Sequence, residues 1–268
     1  MIGRLNDRVA LVTGAARGIG AAIAQCFVDE GARVIIADVA DAAGEELAAS
    51  LGDRAVYAHL DVADEAQWQA VVDATVARWQ RIDILINNAG VVAFYEIAKH
   101  PSAEFRRVLD VNLFGTFLGT RIVGNVMLAQ RSGAIVNVSS VDGMKATNGA
   151  SAYAASKWGV RGFTKAAALE YGHRGVRVNS VHPGTIDTPM TNPGAIPSET
   201  FDAYFRDVPL QRTGRAIEIA RACLFLASDE SSYCNGAELA VDGGVLAGRY
   251  QDFLPGAPAG PTSGGRDE

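Results

Sequence analysis

The stretch Val9-Ala10-Leu11-Val12-Thr13-Gly14-Ala15-Ala16-Arg17-Gly18-Ile19-Gly20 decides the fold. Its first five residues are a short, mostly β-branched or aliphatic run, apolar on successive positions, which predicts a strand Val9–Thr13 buried on both faces. Glycines at 14, 18 and 20 then allow a tight turn, close approach of backbone to a phosphate, and close packing of the next helix on the strand. A helix follows over Gly20–Asp29 and stops at Gly31, a suitable residue just past a helix end. A pyrophosphate placed at that helix N-terminus meets free N–H groups and the positive end of the dipole. The spacing is GxxxGxG and no Lys-Ser/Thr follows, so the loop is not a P-loop.

Outward from this unit the alternation repeats. Further strands are predicted at Arg33–Asp38, Ala55–Leu60, Ile82–Asn87, Ala134–Ser139, Val176–Val181 and Glu238–Val241. Helical segments lie between them; one follows Asp64, with a capping-box-like Asp64…Gln67 start, and runs to Trp79. Strand–helix alternation implies right-handed crossovers and a parallel sheet covered on both sides. The expectation is an α/β fold: one domain, residues 1–250, built as a doubly wound parallel sheet of about seven strands with helices on both faces. A Pro/Gly-punctuated loop opens at Pro183–Pro197 and a substrate loop is expected over about 184–210. The tail 251–268 has no periodicity; its last fourteen residues hold three Pro and four Gly, and they read as disordered or loosely docked.

Composition narrows the function. A net charge of −6 over 268 residues argues against a nucleic-acid partner, which needs a basic face. No apolar run is read as approaching the ~18 residues of a membrane span, and the first eight residues do not resemble a signal peptide. Cys26, Cys223 and Cys234 are scattered and read as small hydrophobes in a reducing compartment, so a cytoplasmic location is expected. The histidines at 59, 100, 182 and 173 show no metal spacing.

Asp38 ends the second strand, eighteen residues past Gly20. A carboxylate there accepts both hydroxyls of an adenosine ribose and repels a 2′-phosphate, which favours NAD over NADP. Arg17 is the contrary signal, a cation that could greet that phosphate. Asp61 and Val62, after the third strand, would lie beside the adenine; Asp61 reads equally well as a helix N-cap. At the other end, Tyr153 and Lys157 stand four apart in the helical stretch Ser151–Tyr171 and therefore share a face. A neighbouring ammonium favours the phenolate and lowers a tyrosine pKa from its ordinary ~10, as a general acid/base requires. This pair follows a strand that ends in Ser139-Ser140, at the sheet edge where such folds bind ligands.

Together, Thr13-Gly14-x-x-x-Gly18-x-Gly20, Asn87-Asn88-Ala89-Gly90, Asn112, Ser140, Tyr153-x-x-x-Lys157 and Pro183-Gly184 resemble the short-chain dehydrogenase/reductase family over about residues 5–247. The resemblance implies a Rossmann-type fold in which Ser140 hydrogen-bonds the substrate oxygen, Tyr153 passes the proton and Lys157 binds the nicotinamide ribose. It implies that Asn112 holds a water linking Lys157 to solvent, and that Asn88, Ala89 and Gly90 support the central strand and the adenosine side. Ile186 and Thr188, after Pro183-Gly184, fall where the family contacts the carboxamide. The segments Ser156-Lys157-Trp158-Gly159, Val181-His182-Pro183-Gly184, Thr188-Pro189-Met190-Thr191 and Gly236-Ala237-Glu238-Leu239 resemble, more narrowly, bacterial 3α(or 20β)-hydroxysteroid dehydrogenases.

The reading that uses every motif is an NAD-dependent oxidoreductase interconverting a secondary alcohol and a ketone. Its substrate is expected to be bulky and apolar, such as a hydroxysteroid. Val91, Val92, Phe94, Val141, Met144 and Met190 would form the apolar wall, with Lys145 as the only cation in those segments. The alternatives are a dehydrogenase of short aliphatic or aryl secondary alcohols, or a 3-oxoacyl thioester reductase. A hydrolase built on Ser140 lacks a GxSxG elbow. A catalytically inactive nucleotide-binding protein would have no chemical reason to keep Asn112, Ser140, Tyr153 and Lys157 together. A homo-oligomer, a tetramer by resemblance, is expected. Small residues on the helix 151–171 (Ala154, Ala155, Gly159, Gly162, Ala166) permit close helix approach, and Ala237–Val245 would form a second contact.

Overall fold

A computed structural model describes residues 3–251 and 254–257; most of the Gly/Pro-rich tail 251–268 lies outside the described residues. The chain runs β1 (Val9–Thr13), α1 (Gly18–Asp29), β2 (Arg33–Asp38), α2 (Asp41–Leu51), β3 (Ala55–His59), α3 (Glu65–Trp79) and β4 (Ile84–Asn87). It continues with α4 (Ser102–Leu109), α5 (Gly115–Gln130), β5 (Gly133–Val138), α6 (Ser151–Tyr171), β6 (Val176–Pro183), β7 (Ile186–Asp187), α7 (Ser198–Asp202), β8 (Gly214–Arg215), α8 (Ala216–Ala227) and β9 (Glu238–Val241). Seven strands form one parallel sheet in the order β3-β2-β1-β4-β5-β6-β9. The order reverses direction between β1 and β4, which opens a crevice at the carboxyl ends of those strands, where ligands bind in such sheets.

The two-residue period of a strand divides the core. Val12, Val34, Ile36 and Ile86 face α1 and α8, where they meet Ile23, Phe27, Ile219 and Leu224. Leu11, Ile35, Leu85 and Ile135 face the opposite layer, meeting Trp68 of α3, Leu118 and Ile122 of α5 and Ala167 of α6. The whole of β1 is buried. Gly31, in the left-handed region, follows α1 as expected.

Five expectations need correction. β6 extends through Pro183 because its partner β9 pairs as far as Pro183–Val241, and β4 begins at Ile84, two residues later than read. The box at α3 is half-formed: the Asp64 carboxylate accepts from Ala66 and Gln67 N–H, but the Gln67 side chain accepts from Asp61 N–H. The loop after Pro183 carries structure of its own, because β7 pairs with β8 across the base of the lid; two-residue strands leave no periodic trace. Finally, α4 and α5 join through a π turn at 110–114 into one helix, Ser102–Gln130, whose mean hydropathy of 1.2 meets the length and composition of a membrane span. That helix is the core element packed between α3, α6 and the sheet, and 56% of its apolar window is buried.

Candidate active site

The glycine loop is tied down by its neighbours. Gly14 sits at φ 61°, and a Cβ there would lie 2.8 Å from Ala89 Cα. A Cβ on Gly20 would fall 2.2 Å from the Gly14 carbonyl, so the helix start can lie this close to the turn only without a side chain. The Thr13 hydroxyl accepts from Asn88 and Ala89 N–H at 3.0 and 3.1 Å, and Asn88 Nδ2 donates to the Thr13 and Gly14 carbonyls. Asn88 and Ala89 thus brace the loop rather than project from it. Arg17 is the exposed N-cap of α1, Ile19 is half-buried against the core, and Thr188 packs beside Gly18. The cradle is therefore a Cβ-free turn at a helix N-terminus, with donor groups suited to a pyrophosphate.

Asp38 faces that turn. Its carboxylate accepts from Ala16 N–H at 2.9 Å and Ala40 N–H at 3.0 Å, which leaves lone pairs for further donors. Asp61 is exposed and closes a turn onto Ala63 N–H, so the N-cap of α3 is Asp64 and not Asp61. Val62 turns into the core beside Gly115, while its carbonyl accepts from Trp68 Nε1. Ile186 is likewise a core side chain, and Gly184 N–H donates to Val241 O at the end of the sheet.

At the chemistry end, α6 brings Tyr153 and Lys157 onto one face. Lys157 is 4% exposed. Its Nζ donates to Val138 O at 2.9 Å and lies 5.5 Å from the Tyr153 ring centroid. Gly90 closes on Lys157 Nζ and Asn112 Oδ1. Burial lowers the Lys157 pKa to about 8 and raises that of Tyr153 to about 12, while the nearby Ser140 hydroxyl pulls Tyr153 down and the charge of Asp142 pushes it up. The expected depression of Tyr153 by Lys157 is thus overridden here. The ammonium faces the ring and a carbonyl, and the phenol is dominated by desolvation.

Asn112 occupies the π turn, fully buried. Its Oδ1 accepts from Val91 N–H at 2.8 Å, and its Nδ2 donates to Val91 O and Ser156 Oγ. Ser156 Oγ donates in turn to the Tyr153 carbonyl at 2.7 Å. Both Nδ2 hydrogens of Asn112 are thus used by protein, while Oδ1 keeps one lone pair, and the side chain fixes Val91 and the first turn of the catalytic helix. Ser140 starts a short 3₁₀ turn, with its hydroxyl accepting from Asp142 N–H. Ser139 is the strand-end residue expected: its hydroxyl donates to Lys157 O.

The sequence reading missed three contributors. Thr13 was legible in the glycine motif, but its bracing role was not. Ser156 carries no local signal. Asp142 sits in an otherwise apolar wall segment and joins Thr147 Oγ1 at 2.9 Å.

A family model described as enoyl-(acyl carrier protein) reductase matches residues 14–246. A 3-alpha-(or 20-beta)-hydroxysteroid dehydrogenase of Mycobacterium tuberculosis is 45% identical over 254 residues, covering 94% of this chain and 95% of that protein. A trans-4-hydroxycyclohexanecarboxylate dehydrogenase of Sinomonas cyclohexanicum is 42% identical, covering 91% and 95% respectively. The crystal structure of levodione reductase superposes with a TM-score of 0.83 at 38% identity, covering 91% of this chain and 99% of that one.

Proposed function

This chain belongs to the short-chain dehydrogenase/reductase family, and from that premise we propose that it is an NAD(H)-dependent dehydrogenase of bulky, uncharged, largely apolar secondary alcohols, with a hydroxysteroid as the leading substrate. Membership makes it an oxidoreductase that acts on alcohols with a nicotinamide cofactor. The observation that carries the mechanism is the buried Lys157 one turn along α6 from Tyr153, its Nζ 5.5 Å from the Tyr153 ring centroid, with Ser140 heading the 3₁₀ turn that follows β5.

When bound, the nicotinamide supplies the hydride acceptor for alcohol oxidation or the donor for ketone reduction. Gly14, Gly18 and Gly20 would hold its pyrophosphate end, Asp38 its adenosine ribose and Lys157 its nicotinamide ribose. Tyr153 Oη removes the alcohol proton during oxidation and returns it during reduction. Ser140 Oγ orients the substrate oxygen and stabilises the phenolate, offsetting part of the cost that burial imposes on that charge. Asp38 supports NAD over NADP, since no second cation joins Arg17 in Val39-Ala40-Asp41.

The substrate reading rests on the cleft lining. Val91, Val92, Val141 and Met144 are half-buried, and Phe94, Met190, Ile196 and Leu210 expose apolar surface on the bordering loops. Phe94 lies beside Gly149, whose carbonyl accepts from Tyr95 N–H, so the two bordering loops meet there. Asp142, whose charge is felt by Tyr153, disfavours an anionic substrate, which separates this chain from a carboxylate-bearing preference. The test compares kcat/KM for a hydroxysteroid, a short secondary alcohol and a hydroxycyclohexanecarboxylate. A short alcohol favoured more than tenfold, about 1.4 kcal/mol, refutes the substrate. A Tyr153→Phe enzyme that still turns over refutes the mechanism.

We also propose a homo-oligomer, with a tetramer as the expected state. Gly159 packs on Leu113 within the subunit, so it does not serve a contact between copies. Gly162 is open, and Phe114, Trp158 and Leu169 lie exposed on the same helical layer. Light scattering that gives a 28.1 kDa particle at micromolar concentration refutes this.

A further inference from the structure

His182 is fully buried near the carboxyl end of β6, beside the Ser140 backbone, and the mechanism above does not use it. The β5–β6 register pairs Val138 with Val181, so the chain beyond Val138 passes directly beside His182. The imidazole has two partners: Nδ1 lies 3.1 Å from the carbonyl oxygen of Ser140, and Nε2 lies 2.8 Å from Ser180 Oγ. A carbonyl can only accept, so Nδ1 carries the proton. Burial pushes the imidazole pKa down; the charged groups that act on it are Glu238, Arg161 and Lys157, and Arg161 and Glu238 already pair with each other. The ring is then neutral, Nε2 is an acceptor, and the Ser180 hydroxyl must donate to it. The result is a directed relay of hydrogen bonds, Ser180 O–H to His182 and His182 N–H to the backbone of Ser140.

We propose that His182 is a positioning residue for the reaction, holding the Ser140 peptide so that its hydroxyl meets the substrate oxygen and the Tyr153 phenol. Ser139 is secured from the strand side by its N–H to Val181 O and its hydroxyl to Lys157 O. The Ser140 carbonyl accepts twice: from Gly143 N–H at 2.9 Å, which closes the 3₁₀ turn on itself, and from His182 Nδ1 at 3.1 Å, which ties that turn to β6. Ser140 sits at φ −171°, in extended backbone, followed by a 3₁₀ turn; the Gly143 bond moves with that turn, so without His182 the turn and the Ser140 hydroxyl can pivot together relative to β6. A displacement of about 1 Å at a reacting group costs on the order of a hundredfold in rate. The inference rests on the reading of Ser140 as a group that touches substrate.

The test compares His182→Gln, which keeps an N–H donor, with His182→Met, which fills the volume without one. Both are measured beside Ser140→Ala with a secondary alcohol and the oxidised cofactor. We expect His182→Met to lose tenfold to a hundredfold in kcat with cofactor affinity unchanged within about twofold. The acidic limb of its kcat/KM profile should shift to higher pH, because a displaced Ser140 hydroxyl no longer stabilises the phenolate against burial and the charge of Asp142. His182→Gln should recover most of the rate and the original profile. Met and Gln variants with equal rates and wild-type profiles overturn the inference, as do equal losses in both. If neither folds, Ser180→Ala decides, since it removes only the acceptor-side partner; an unchanged pH profile there also overturns it. A fully active Ser140→Ala enzyme instead overturns the role given to Ser140, and the two failures are thereby distinguished.

Discussion

Lys157 is a charge the fold would rather not bury. Burial lowers its pKa from 10.5 to about 8, which corresponds to about 3 kcal/mol at roughly 1.36 kcal/mol per unit. With a folded pKa below the unfolded one, the associated stability is present above pH 10.5 and lost as pH falls through about 8. Between these values the unfolded chain binds the extra proton, so stability climbs with pH. From pH 7 to 9.5, the Lys157 contribution should rise by about 2 kcal/mol, since only the interval above about 8 counts. Lys157→Met fills similar volume without a titrating group, and other ionisable residues are common to both proteins. Urea unfolding at pH 7 and pH 9.5 should therefore show a wild-type gain that exceeds the variant's by about 2 kcal/mol. The same substitution should abolish turnover, because it removes the ammonium next to Tyr153. Equal gains in the two proteins would refute the argument that burial of this ammonium is opposed by the fold and retained for chemistry.

Asp38→Ala should weaken NAD by about tenfold or more in a fluorescence titration, since hydrogen bonds to a charged group are worth ~1.5–3 kcal/mol, while NADP should suffer less. Equal use of both cofactors by the wild type would make Arg17 the determinant instead. Gly20→Ala places a methyl 2.2 Å from the Gly14 carbonyl, so cofactor binding should be lost in calorimetry while far-UV dichroism keeps the helical signal. Asp142→Asn should move the acidic limb of the alcohol-oxidation profile to lower pH, because the carboxylate's charge raises the Tyr153 pKa. It should also raise kcat/KM for a carboxylate-bearing alcohol relative to a neutral one; no change in that ratio would remove Asp142 from the cleft.

The sequence by itself determined the sheet and the ends of its ligand crevice. Strands such as Val9–Thr13 and Arg33–Asp38 are written in consecutive apolar residues, since both faces of each strand are covered. The glycines at 14, 18 and 20 and the Tyr153–Lys157 spacing are equally local, because a turn and a helix face are set by near neighbours in the chain. Hydropathy alone cannot place Ser102–Gln130 for the converse reason: composition does not separate a helix buried by protein from one buried by lipid. Tertiary structure alone decided who satisfies whom. Asn112 is filled by Val91 and Ser156, β7 finds β8 across twenty-six intervening residues, and His182 reaches a carbonyl forty-two positions away. The direction of the Tyr153 pKa was also a tertiary matter, since it depends on how much water the fold removes and on where the ammonium points. Periodicity records which face of an element is dry. The partner that each buried polar atom meets follows from strand register and helix packing, which join residues that the chain keeps far apart.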